Sequence, residues 1–192
     1  MTSGPSSPPA PDLRAAFAQL ARAEAPVLYR TARRLARPPT EAGDLVQETL
    51  LRAYRTFANF RPGTNGRAWL FTILYSVATN DAERYGRRAE VAVNDLEGDV
   101  ALLRGGRASD EELTLLRTID VSPQVETALA QLAEPFRSAV ILVDMEELTY
   151  EEAAGAVGCP VGTLRSRLFR GRRQLFDALS DYARRTGLLE KR

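Results

Sequence analysis

The chain contains no histidine and a single cysteine, Cys159. The first absence removes imidazole as a metal ligand and as the base of a histidine-dependent triad, and the second rules out an internal disulfide. Cys159 reads as a small turn residue. No apolar run approaches the roughly 20 residues needed to cross a bilayer, and the first residues lack a basic segment followed by an apolar one. Neither membrane insertion nor a secretory leader is expected, and a cytoplasmic location follows. Net charge is also nearly absent: 26 basic residues face 25 acidic ones, leaving +1. Affinity for a polyanion must therefore come from local patches rather than from an overall field. The most informative absence is local, since no acidic residue interrupts Val161 to Phe176.

What is present suits a small all-α protein. With 192 residues, 44% of them hydrophobic and 27% charged, the chain is long enough for one domain or two small ones. The acid-free stretch follows a helix signal: Thr149 and Glu152 have capping-box spacing, so a short helix is predicted to begin at Tyr150 with Ala153, Ala154 and Val157 on its apolar face. Gly158-Cys159-Pro160 stops it. A second helix restarts near Val161, where Val161, Leu164, Leu168, Leu175 and Leu179 share one side and Gly171 leaves room on that stripe for another backbone. The opposite side carries Gly162, Ser166, Phe169, Arg170 and Arg173, flanked by Thr163 and Arg165. Helix, tight turn and a helix with a basic outer face make a helix-turn-helix pattern. Arg165 and Arg170 have the length to reach guanine O6 and N7, Ser166 suits several base edges and Phe169 a thymine methyl, while Arg167, Arg172 and Arg173 are expected at phosphates.

Taken in order, residues 1–11 are rich in proline and serine and read as a disordered tail. Between Asp12 and Arg37, Leu13, Phe17, Leu20, Val27, Leu28, Ala32 and Leu35 recur at helical spacing, with Pro26 marking either a break or the first turn of a second helix. Asp44 is placed to cap the next helix, whose inner stripe is Val46, Leu50, Ala53 and Phe57 and whose outer face is Asp44, Gln47, Glu48, Leu51, Arg52 and Arg55. Leu51, an apolar residue beside acids and an amide, suits a docking face. Residues 56–66 read as a loop. There Phe57 and Phe60 suit either a core or, beside Asn59 and Arg61, stacking on unpaired bases. A helix near Arg67 is expected to bury Trp69, Leu70, Ile73, Leu74 and Val77, with Ser76, Asn80, Glu83 and Arg87 on another face and Arg84 alongside. Residues 89–121 lose periodicity and read as a flexible linker, in which Leu113, Leu115 and Leu116 suit a short docked turn. Helical patterns resume at Ser122-Pro123, with Val125, Leu129 and Leu132 on one stripe and Phe136, Val140, Ile141 and Val143 on another. The expected organisation is two small helical domains, 12–88 and 122–184, the second a helix-turn-helix domain, with short tails at 1–11 and 185–192.

Three stretches then resemble the extracytoplasmic-function class of bacterial RNA polymerase sigma factors: DLVQETLLRAYRTFANF at Asp44 to Phe60, AWLFTILYSVATNDAERYGRR at Ala68 to Arg88, and CPVGTLRSRLFRGRRQL at Cys159 to Leu175. They are similar to the family's core-polymerase-binding, minus-ten-reading and minus-thirty-five-reading helices, in that order along the chain. The resemblance implies that Asp44, Gln47, Glu48 and Leu51 contact core RNA polymerase. It further implies that Asn59, Phe60 and Arg61 help capture a flipped base, that Ser76, Asn80, Arg84 and Arg87 lie near the minus-ten element, and that Thr163, Arg165, Ser166, Phe169, Arg170 and Arg173 read the minus-thirty-five element. Ser76 stands where the family commonly has asparagine, and Asn80 where it often has aspartate. Core polymerase, promoter DNA and an anti-sigma factor are the implied partners.

The function expected on this basis is promoter recognition and strand opening without a catalytic residue, cofactor or metal. The alternative is a stand-alone helix-turn-helix regulator with the first domain used for dimerisation or sensing. An enzyme has only scattered acids such as Glu146-Glu147 and Glu151-Glu152 in its favour, and adjacent acids on a helix point in different directions.

Overall fold

The computed structural model describes residues 13–36, 41–61, 63–84 and 123–186, with the side chains of 81–84, 181 and 183–186 outside the description. The expected tail at 1–11, the linker at 89–121 with its leucine turn, and Arg87 lie outside the described residues. Among the described residues every regular element is helical. The first group comprises α1 (Leu13–Leu35), α2 (Ala42–Thr56), a single tight turn at Phe57–Asn59 and α3 (Gly66–Arg84).

Helix α1 runs unbroken through Pro26. Proline removes one ladder bond, to the carbonyl of Arg22, but both residues lie on the exposed side where water can satisfy that carbonyl, so the helix continues instead of breaking. Its inner end packs through Leu28, Ala32 and Leu35, whereas Leu13 is exposed. Helix α2 starts earlier than its sequence suggests: Glu41 precedes the first turn, and Asp44 lies inside that turn rather than capping it. There its charge still favours the positive helix end. The stripe is also rotated from expectation, with Leu45, Thr49 and Ala53 buried and Val46 and Leu50 only half-buried. Thr49 is tolerated inside because its hydroxyl donates to the Leu45 carbonyl at 2.7 Å. Asn65 caps α3, its Oδ1 accepting from the N–H groups of Arg67 (3.1 Å) and Ala68 (3.3 Å). Along α3 Leu70, Phe71, Leu74 and Val77 are fully buried, while Trp69 and Ile73 are partly exposed.

The second group is α4 (Pro123–Gln131), α5 (Glu134–Val140), a wide π-type turn at Ile141–Met145, α6 (Tyr150–Val157) and α7 (Val161–Thr186). The capping box at α6 forms fully: Glu152 N–H donates to Thr149 Oγ1 at 3.2 Å, and Thr149 N–H to Glu152 Oε2 at 3.0 Å. Gly158 ends α6 at φ +67°, the left-handed cap for which glycine is suited. Leu164, Leu168, Leu175 and Leu179 are buried as expected. Gly171 lets α5 approach closely: a methyl built there would sit 2.9 Å from the Phe136 carbonyl oxygen and 2.8 Å from Val140 Cγ2.

The two groups do not stand apart. Helix α3 lies along α6, and the inner end of α1 reaches α4 and α5, so buried residues of both groups form one continuous core.

Candidate nucleic-acid interface

The outer face of α7 begins with Gly162 and Arg165, both exposed. Arg165 is not a loose chain: its guanidinium carbon sits 5.3 Å above the ring centre of Tyr150, the first residue of α6. A cation held over an aromatic face is biased toward one orientation while keeping its donors available. Phe169 and Arg170 follow, both half-buried, then Arg173, exposed and 3.4 Å from Asp177 one turn on. Thr163 is half-buried. Ser166 departs from the sequence picture. It is only 7% exposed, and its hydroxyl donates to the Thr163 carbonyl at 3.0 Å, so the long side chains around it command the surface.

Arg172, expected at phosphates, has a different task. Its Nε and Nη2 make a two-pronged bridge to Asp144 at 3.0 and 2.5 Å, and the side chain is largely covered. Burial alone would lower the guanidinium's pKa, but the Asp144 bonds and the nearby Tyr150 outweigh it and raise the pKa. The pair therefore pins the start of the reading helix's second half to the π-type turn. Sequence reasoning missed Asp144 and Tyr150; nothing in the local pattern joins a residue at 144 to one at 172. Burial raises the Cys159 thiol's pKa, keeping it protonated and unreactive at neutral pH.

On the first group, the loop after α2 holds Asn59 and Arg61 in solvent and Phe60 half-buried between them. Phe60 stacks on Phe57 with centroids 5.5 Å apart and planes 9° from parallel, and leans on Trp69 at 5.0 Å. Phe57 is buried and also meets Phe17 at 5.2 Å. The open choice between core and platform thus divides: Phe57 is core, while Phe60 is half-buried, with Asn59 and Arg61 exposed on either side of it. Ser76 and Asn80, one turn apart on α3, are exposed. Arg84 lies in the last turn of α3, its side chain outside the description.

A third face is on α2. Asp44, Gln47 and Leu51 are exposed, and Glu48, half-buried, is bonded by Arg52 at 2.6 Å. Leu51 at 45% exposure and Tyr54 at 52% leave an apolar strip beside these polar groups. Among the described residues no cluster of acids and cysteine has the geometry to hold a metal ion, and no helix is long and apolar enough to cross a membrane.

Two family models match this arrangement. Residues 20–88 match Sigma-70 region 2, and residues 122–175 match Sigma-70, region 4. The ECF RNA polymerase sigma factor SigE of Mycolicibacterium smegmatis is 34% identical over 168 residues, which cover 88% of this chain and 63% of that protein. The RNA polymerase sigma-H factor of Pseudomonas aeruginosa is 37% identical over 150 residues, covering 75% of this chain and 76% of that one. Among solved structures, the sigma factor RpoE in complex with the anti-sigma factor NepR from Bartonella quintana superposes with a TM-score of 0.65 at 28% identity, covering 86% of this chain and 97% of that one.

Proposed function

Because the chain belongs to the extracytoplasmic-function class of RNA polymerase sigma factors and so acts in promoter recognition and transcription initiation, we propose how its residues divide that work. The exposed strip of α2 at Asp44, Gln47, Glu48 and Leu51 docks on core polymerase. Its mixture of carboxylate, amide and one apolar side chain supports this, since such a patch suits a helical partner with complementary charge. Asn59, Phe60 and Arg61 receive an unstacked base of the minus-ten element, with Phe60 as the platform and its neighbours as hydrogen-bond donors. Ser76, Asn80, Arg84 and Arg87 track the adjoining strand. In the second domain Arg165, Phe169 and Arg170 read the minus-thirty-five element; Thr163, Ser166 and Arg173 support that contact, Ser166 by shaping the helix surface rather than by offering its hydroxyl.

The domains run over 12–88 and 122–184. Strand opening draws on the binding energy of trapped bases, with no reaction at a catalytic residue, and the work takes place in the cytoplasm. Two weak contacts on one scaffold raise each other's effective concentration, so neither domain needs high affinity alone. An anti-sigma factor is a further partner, by extension from the Bartonella quintana complex.

The observation that carries this reading is the acid-free, one-sided basic face of α7, set on a capped helix-turn-helix and joined in one chain to the α2 strip. Charge reversal at Glu48 is the test. Glu48→Arg should weaken binding to core polymerase while leaving binding of a promoter fragment by the second domain intact. Loss of both together, or of neither, contradicts the division of labour.

A further inference from the structure

Two of the arginines assigned to the minus-thirty-five element, Arg165 and Arg173, are exposed, and each is held in a different way. Arg173 lies 3.4 Å from the Asp177 carboxylate, which takes up its Nε donor. Arg165 has Val161, Gly162, Leu168 and Phe169 a turn to either side, and none of those side chains accepts a hydrogen bond. Its guanidinium carbon sits instead 5.3 Å from the centre of the Tyr150 ring. A carboxylate occupies N–H donors. An aromatic face attracts the charge and leaves the donors, which lie at the rim of a planar fork, able to bond a base edge.

Tyr150 is itself well fixed. It is the first residue of α6, directly after the Thr149 cap, and it is half-buried and packed against the core. Thr149 and Glu152 bond each other without it, so the start of the helix does not depend on the tyrosine side chain. Its hydroxyl faces Arg172, two turns along α7 from Arg165, and adds to the Asp144 bonds in favouring the charged guanidinium. Two arginines of one helix thus converge on a single tyrosine of another, one over its ring and one at its hydroxyl. Arg172 is anchored on Asp144 through both prongs, whereas Arg165 extends into solvent. Reading a guanine edge needs two N–H groups in a defined plane. A long side chain with unrestricted rotamers bonds a phosphate as readily as a base, and phosphate contacts carry no sequence information.

We propose that Tyr150 is a positioning residue for promoter specificity: its ring seats Arg165 in the orientation that reads one base of the minus-thirty-five element, and Arg172, anchored on Asp144, borders its hydroxyl end. This rests on the assignment of Arg165 to that element. Without the ring, Arg165 keeps its charge and its reach, so attraction to DNA survives while discrimination at one base falls. Tyr150 acts through Arg165 and needs no contact of its own with the promoter.

The test uses the full chain bound to core RNA polymerase, selecting from linear promoters randomised across the minus-thirty-five element. Tyr150→Leu keeps apolar bulk but loses the ring, and should flatten base preference at the position read by Arg165 by about two- to fivefold, the range for a cation over a ring at an exposed site. Preference at the other positions and the salt dependence of binding should not change. Tyr150→Phe keeps the ring and should retain nearly all of the preference. In an Arg165→Ala background, Tyr150→Leu should add nothing. In the free chain, nuclear magnetic resonance should show the Arg165 Cδ and Nε protons shifted upfield by the ring in the wild type and in Tyr150→Phe, and not in Tyr150→Leu. A loss spread evenly over all positions, or an equal loss in the Arg165→Ala background, makes Tyr150 a phosphate contact or a purely structural residue and overturns the proposal. So does an unshifted Arg165 in the wild type, or a Tyr150→Leu variant with unchanged preference. If Arg165→Ala itself leaves every preference intact, the assignment of Arg165 to a base has failed; the proton shifts need neither polymerase nor DNA, so the two failures are distinguishable.

Discussion

Gly171 sits where two opposing energies can be compared. Replacing it with alanine removes a glycine from a helix interior, which by itself stabilises by about 1 kcal/mol. The added methyl would lie 2.8 Å from Val140 Cγ2 and 2.9 Å from the Phe136 carbonyl oxygen. A side-chain methyl can rotate away, but a carbonyl in the first turn of α5 can move only with its helix. Overpacking of this kind costs about 1–3 kcal/mol, and a backbone carbonyl that cannot yield puts this site in the upper half of that range, so after the propensity gain Gly171→Ala should lose about 1–2 kcal/mol net. Gly155 is the matched control, exposed in α6 with nothing within 4 Å of a built methyl. Gly155→Ala should gain up to about 1 kcal/mol. In a chain of this size each kcal/mol moves the melting temperature by about 2–4 °C, so thermal unfolding followed by circular dichroism should separate the two variants in opposite directions from wild type. A Gly171→Ala protein that melts at or above the wild-type temperature refutes the close α5–α7 approach on which the orientation of the reading helix depends.

Two other outcomes follow from the sites. The Thr149 backbone N–H holds the Glu152 carboxyl below its ordinary value of 4.5, against the opposing effect of burial and with help from Asn65 and the Thr149 hydroxyl. A depressed carboxyl contributes stability above its unfolded value that is lost as pH falls through the folded one. Wild-type melting should therefore fall below about pH 4.5, while Glu152→Gln should be less stable at pH 7 and show a shallower acid decline; parallel curves would contradict the capping role. Arg170→Ala should cost about 1–3 kcal/mol at one position of the minus-thirty-five element and relax preference there, measured by binding to single-substitution DNA fragments. A uniform loss over all sequences would make Arg170 a phosphate contact instead.

Much of this organisation is legible in the chain because its signals are local. Thr149, Glu152 and Gly158 bound a helix by chemistry acting within four residues, and the Leu164-to-Leu179 stripe and the Gly171 gap follow from helical period alone. Pro26 misleads for a physical reason: the proline rule assumes a carbonyl that nothing else can satisfy, and here Arg22 and Pro26 both lie on the exposed side of the helix. The rotated stripe of α2 arises because Thr49 meets its own hydrogen-bonding need inside the helix, so a polar letter occupies a core position. Phe71, among the largest fully buried side chains, sits in a run so apolar that period cannot say which side faces inward. The pins that matter most for position, Arg172 to Asp144 and Arg34 to Glu126 and Glu146, join residues 28 to 112 apart in sequence. No spacing rule reaches that far, and an arginine on a basic helix looks the same whether it meets phosphate or an aspartate behind it.

The central claim is tested most directly by initiation in a purified system. Core RNA polymerase mixed with this chain and a library of linear templates should produce discrete transcripts, absent without the chain, whose start points lie downstream of two shared sequence elements at fixed spacing. Failure of core polymerase to bind the chain or to start at any such site, alongside tight binding of the chain alone to one compact operator, would contradict the account and favour a stand-alone helix-turn-helix regulator.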